Sequence, residues 1–190
     1  MKNIFVTLVL TVLSTVLFAQ NATLSGSITD PYGDNVDVTS ITLLDSGDNI
    51  VAVTSGWDFN FTGLTQGETY KLTFEKNESP LNGVSTFDIV LIIKDILGVQ
   101  PLSSPLLLYA ADVNASTTIT VYDIVLLRRL ILAIDSSLPV PSWQFLPASI
   151  NSFPGATTFN EIEVTMSAQN IIADVKGFKM GDVNGSAIPN

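Results

Sequence analysis

Val84-Ser85-Thr86-Phe87-Asp88-Ile89-Val90-Leu91-Ile92-Ile93-Lys94-Asp95-Ile96-Leu97-Gly98-Val99 aligns without a gap to Ile119-Thr120-Val121-Tyr122-Asp123-Ile124-Val125-Leu126-Leu127-Arg128-Arg129-Leu130-Ile131-Leu132-Ala133-Ile134, 35 residues further on. The central Asp, Ile, Val and Leu and the later Ile-Leu pair are identical. Each copy reads as a helix. Ser85 or Thr86, and Thr120, stand where an N-cap hydroxyl would accept from the first free N–H groups. Asp88 and Asp123 fall in the first turn, where the helix dipole favours negative charge. Gly98 is placed to end the first helix. Both runs are apolar on nearly every face, which predicts two largely buried helices packed on each other and on a sheet.

The segment entering the second helix is Asp112-Val113-Asn114-Ala115-Ser116-Thr117-Thr118-Ile119-Thr120-Val121-Tyr122-Asp123. Oxygen side chains occupy positions 1, 3, 5, 7, 9 and 12 of this loop, with an aliphatic at 8. Calcium takes six to eight oxygen ligands, and a tight loop feeding a helix can supply them. Asp112, Asn114 and Ser116 are the candidate side-chain ligands, Thr118 offers its carbonyl, and Asp123 closes the site from the helix. Thr117 stands at position 6, where positive φ is needed; a β-branched residue there costs on the order of 1–2 kcal/mol. The equivalent first loop runs from Asn77 to Asp88. Asn77, Ser79, Gly83 and Asp88 are its candidates at positions 1, 3, 7 and 12, but Leu81 at position 5 has no side-chain oxygen. With so few carboxylates, either loop predicts modest affinity. The alternative is that both Asp residues merely cap helices and the loops are turns. A third fragment, Gly181-Asp182-Val183-Asn184-Gly185-Ser186, repeats the start of such a loop with no helix after it. It reads either as a plain turn or as a segment that folds back and lends Asp182 and Asn184 to the degenerate first loop.

Around the repeat the periodicity changes to two. Asn21–Thr29, Ile41–Leu44, Ile50–Thr54, Trp57–Phe61 and Tyr70–Phe74 are strand candidates separated by turn clusters such as Asp30-Pro31-Tyr32-Gly33-Asp34. Trp57, Phe59 and Phe61 fall on one face and predict core packing. Further strands are expected at Ser142–Phe145, Phe159–Met166 and Ile171–Met180. The fold class expected is α+β, an antiparallel β-sandwich carrying an inserted pair of loop-helix units. Its parts are a leader over 1–19, a sandwich region over 20–76, the duplicated unit over 77–138, and closing strands over 139–190.

The 190 residues contain no Cys and no His, and 8 Lys+Arg stand against 18 Asp+Glu. Disulfides, thiolate zinc sites, imidazole bases and Ser-His-Asp chemistry are thereby excluded. The net charge of −10 disfavours nucleic acid as a partner. Lys2 followed by the apolar run Ile4–Phe18 and the small Ala19 reads as a secretory leader cut after residue 19. The expectation is therefore an extracellular or cell-surface protein with no stable membrane insertion after cleavage.

Two resemblances add to this reading. The spacing Phe59-x-Phe61-x-x-Leu64-x-x-Gly67-x-x-Tyr70-x-Leu72 resembles the prealbumin-like or carboxypeptidase-regulatory-like sandwiches of secreted bacterial proteins. The order loop, helix, spacer, loop, helix over about 77–135, with Asp at position 12, resembles a type I dockerin. That resemblance implies a non-catalytic calcium-binding module. It would dock a cohesin-like partner and position an extracellular, polysaccharide-degrading assembly. The family's recognition positions map to Thr86 and Phe87, Val121 and Tyr122, and Arg128 and Arg129. Other readings are a calcium-stapled spacer of a surface protein and a small glycosidase using two carboxylates, for which no Asp/Glu pair stands out.

Overall fold

The structure is a computed structural model, and it describes residues 21–77, 79–155 and 158–189; the leader expected over 1–19 lies outside them. Among the described residues, nine strands and three helices follow one another. The strands are β1 (Asn21–Thr29), β2 (Val38–Leu44), β3 (Ile50–Gly56), β4 (Asp58–Thr65), β5 (Thr69–Glu75), β6 (Trp143–Pro147), β7 (Glu161–Thr165), β8 (Asn170–Ile172) and β9 (Val175–Lys179). The helices α1 (Thr86–Ile96), α2 (Pro105–Ala111) and α3 (Val121–Ile131) fall between β5 and β6.

Two sheets result, mostly antiparallel and compatible with a β-sandwich. One has the order β3-β2-β5-β7; the other has the order β4-β1-β9-β6, with β8 also paired to β1. The departure from an antiparallel plan is at β1, which pairs in parallel with β8 and β9. The run expected as one strand over Ile171–Met180 is thus two, broken at Ala173-Asp174. Asp174 Oδ1 accepts from both the N–H and the hydroxyl of Ser27. The Ala173 carbonyl lies so close to Gly26 that a Cβ there would collide with it. A side chain at position 26 would push the two strands apart.

Alternation buries Leu24, Ile41, Leu43, Phe59, Phe61, Leu72 and Phe74 between the sheets. Trp57 corrects the expectation drawn from its spacing. It is exposed, because Gly56 turns at φ +106° and Trp57 sits at the corner between β3 and β4, outside the period of either. A second apolar cluster surrounds the helices. The ribbon β6–β9 joins the two clusters: Trp143, Phe145 and Val175 face the sheets, while Leu146 and Phe178 face the helices. A ribbon buried on both faces fastens the helical part to the sheets by the usual hydrophobic term.

The helices depart from expectation in two ways. Residues 105–111 form a helix that the repeat did not announce, although Ser104 as N-cap and Pro105 at its first position are an ordinary start signal. And α1 and α3 are only half buried. In α1, Asp88 and Ile92 are buried, while Phe87, Val90, Ile93 and Ile96 are exposed. In α3, Leu126, Leu127 and Leu130 are buried, while Val121, Tyr122 and Val125 are exposed. The helices pack on each other through one stripe each, and their other apolar face meets solvent.

Candidate metal centre

The two repeat helices are built alike to the atom. Ser85 caps α1 and Thr120 caps α3, each accepting from the N–H two residues on. Asp88 and Asp123 return the bond: Oδ2 of each accepts from the N–H and the hydroxyl of its cap residue. This reciprocal box satisfies donors that the helix itself leaves open. At the other end Gly98 adopts φ +66°, and Val99 N–H and Gly98 N–H donate to the Lys94 and Asp95 carbonyls. Ala133 does the same at φ +53°, with Ile134 and Ala133 donating to Arg129 and Leu130. Both helices therefore end in a left-handed closing motif, which ordinarily favours glycine.

The loop 112–123 brings its expected oxygens together. Asp112 Oδ1 accepts from Ser116 N–H at 2.9 Å, and Oδ2 accepts from Thr117 N–H at 2.7 Å. Asn114 Oδ1 also accepts from Ser116 N–H, at 3.0 Å. The Ser116 hydroxyl lies 3.3 Å from Asp112 Oδ1 and 3.0 Å from the Thr118 carbonyl. Thr117 has φ +69°, and Ala115 φ +53°. The left-handed turn needed at position 6 is therefore made by a β-branched residue, as the spacing required. Asp123 is fully buried, and its Oδ1 has no hydrogen-bond partner. Burial pushes this carboxyl above its ordinary range; Thr120 lowers it and the neighbouring Asp112 charge raises it further. A buried carboxylate oxygen with no donor is unfavourable unless something positive meets it.

The first unit is assembled differently. Asn77 at position 1 is turned away: its Oδ1 accepts from Ser142 N–H at 2.8 Å. Ser79 lies in a turn at φ +46° that the Asn82 N–H closes onto its carbonyl. The segment 182–188 lies against Gly83 and Asp88 instead. Asp182 Oδ1 accepts from the N–H groups of Asn184, Gly185 and Ser186, and Oδ2 from Ala187 N–H at 2.7 Å. The Ser186 hydroxyl donates to the Gly83 carbonyl at 2.9 Å. Asp88 Oδ1 accepts from Val183 N–H at 3.0 Å. Asp182, Asn184 and Ser186 therefore stand to Gly83 and Asp88 as Asp112, Asn114 and Ser116 stand to Thr118 and Asp123. Of the two readings left open for the third fragment, folding back onto the first loop is the geometry found.

Asp182 is buried, and burial raises its carboxyl; the N–H groups of Ala187 and Ser186 lower it, and the Asp88 charge raises it again. The Asn184 side-chain oxygen is inaccessible and without a hydrogen-bond partner. Tyr32, from the turn after β1, lays its ring on Gly185 and donates its hydroxyl to the Val183 carbonyl at 3.3 Å. Its phenol is pushed up by burial and by the charges of Asp182, Asp30 and Asp88.

Among the described residues no group of three or more acidic, His or Cys side chains is assembled. A cation at either place would rest on two carboxylates with amide, hydroxyl and carbonyl oxygens. Such an all-oxygen donor set fits a hard cation of the calcium type at modest affinity. Of the expected recognition residues, Thr86, Phe87, Val121, Tyr122 and Arg128 are exposed on the helices. Arg129 is tied up, its Nε and Nη2 donating to Asp135 at 2.6 and 2.7 Å. No protein-family model and no curated protein matches the chain.

Proposed function

We propose that the chain is a non-catalytic, secreted calcium-binding interaction module, dockerin-like in its paired loop-helix units. The observation that carries this reading is Asp123 Oδ1, a fully buried carboxylate oxygen with no donor, in a loop whose other oxygens gather around Ser116. Calcium would be held by Asp112, Asn114, Ser116, the Thr118 carbonyl and Asp123. At the first unit it would be held by Asp182, Asn184, Ser186, the Gly83 carbonyl and Asp88. The surface that would meet a cohesin-like protein is the solvent face of α1 and α3. Phe87, Val90 and Leu97 stand there in the same helical places as Tyr122, Val125 and Leu132, all exposed. An apolar face repeated in this way is more than isolated exposed residues.

A second reading, a calcium-stapled spacer, is favoured by the Arg129–Asp135 pair, which commits one of the two arginines to its own chain. Thermal melts of the full chain in millimolar calcium and in chelator test the metal. A native-only ligand at a hundredfold excess over Kd stabilises by about 2.7 kcal/mol per site, and Asp123→Ala should remove the second unit's share of the difference. Coincident melts would refute calcium binding. Capture from the secreted fraction with and without chelator then separates docking from stapling.

A further inference from the structure

Resting on the calcium reading above, we infer that residues 182–188 are a calcium-dependent strap. Cation binding at the first unit and closure of this segment onto the loop before α1 are one event, whereas the second unit binds independently of it. The contrast between the two units carries this. At 112–123 every oxygen lies within one loop. At the first unit Ser186 and the Gly83 carbonyl that it meets are 103 residues apart, so the ring exists only while the strap lies in place.

Besides the ring itself, the strap is anchored by Val183, buried in the helical cluster, and by Ala187 against the sheet core. Asn82 grips it as a neighbouring strand would: its Nδ2 donates to the Ile188 carbonyl at 2.7 Å, and its Oδ1 accepts from Ile188 N–H at 3.0 Å. The backbone of Ala187 lies so close to Gly83 that any Cβ at position 83 would strike it. Tyr32 covers the outer side. Inside, Asp182 and Asp88 are two buried carboxyls whose charges oppose each other, and the buried Asn184 oxygen has no donor. Without a cation the strap closes against that repulsion; with one, the repulsion becomes attraction. The apparent affinity of the first unit is its intrinsic affinity reduced by the fraction of molecules with the strap closed.

Asn82 contributes no oxygen to the ring, so Asn82→Ala acts on calcium only through the strap. Calcium titration calorimetry on the full chain should show two sites. In Asn82→Ala the first site should weaken about tenfold, with the second unchanged. In the unmutated chain, hydrogen exchange should show the amides of 183–188 slowing at least tenfold when calcium replaces chelator. If calcium binds the second unit but the strap amides are equally protected in chelator, or if Asn82→Ala leaves both affinities unaltered, the strap inference falls alone. If neither unit takes up calcium, the calcium reading falls and the inference with it.

Discussion

The two loop-helix units share their caps, their closing motif and a carboxylate at the third helical position, yet one is continuous in sequence and the other is not. The second unit keeps Asp112, Asn114 and Ser116 immediately before α3. The first has Leu81 where the second has Ser116, and takes its Asp, Asn and Ser from 182–186 instead. The repeat preserves an arrangement of oxygens about a helix start, and contiguity of the chain is dispensable to it. The exchange also alters the carboxylate that closes each ring. Asp88 Oδ1 is met by Val183 N–H, whereas Asp123 Oδ1 meets nothing. The second unit therefore carries an unanswered carboxylate oxygen, whereas in the first unit the unanswered oxygen is that of the Asn184 amide.

The largest expected effect separates buried from exposed positions of the repeat. Leu127 is fully buried and its side chain reaches Gly181 at the base of the 182–188 segment. Leu127→Ala should cost about 2–5 kcal/mol by urea unfolding, while Val90→Ala on the exposed face should stay within about 1 kcal/mol. Equal losses would mean that the exposed face is covered in solution.

Acidity and alkalinity should act on the two units in different ranges. Lys179, beside the first unit, is buried and donates to the Pro80 carbonyl at 2.9 Å. Burial lowers its ammonium to about 8 from 10.5, the Asp182 charge opposing the shift. Between these values the unfolded chain binds more protons than the folded one, so stability should rise with pH. The gain to about pH 10.5 is about 3 kcal/mol, and Lys179→Met should flatten it. At the second unit the sign is reversed. Asp123 titrates above its model-compound value of 3.8, so the folded state holds the proton longer. In chelator, stability should fall as pH rises through the window just above 3.8. In calcium it should rise over the same window, because the ion needs the ionised carboxylate. Identical acid profiles with and without calcium would break the comparison.

A smaller effect sharpens the helix ends. Ala133 occupies the left-handed position that Gly98 occupies in the first copy. Ala133→Gly should stabilise, and Gly98→Ala destabilise, each by about 1 kcal/mol in denaturant titrations. The smallest effect concerns the arginines. If the helix face docks a partner, Arg128→Ala should weaken capture by a salt-sensitive margin of about 1 kcal/mol or less. Arg129→Ala should act mainly by freeing Asp135, and a variant pair that behaves identically would remove the distinction between them.

By itself the sequence determined what is local. Ser85, Thr120, Asp88 and Asp123 declared two helix starts, and Gly98 one helix end, because caps are satisfied within four residues. The alternation in Phe59–Phe61 and Tyr70–Phe74 declared the sheet face, and Asp112–Asp123 declared a loop whose position 6 must turn left-handed. Tertiary structure decided what depends on distant chain. Leaving Trp57 outside its apparent period took a left-handed Gly56, and half of α1 and α3 is exposed because they pack on each other while it is α2 that packs on β9. The first ring was decided at the longest range. The string Asp182-Val183-Asn184-Gly185-Ser186 names the right atoms, but only the course of β9 and the grip of Asn82 bring them to Asp88. No period or cap encodes a contact between segments about a hundred residues apart.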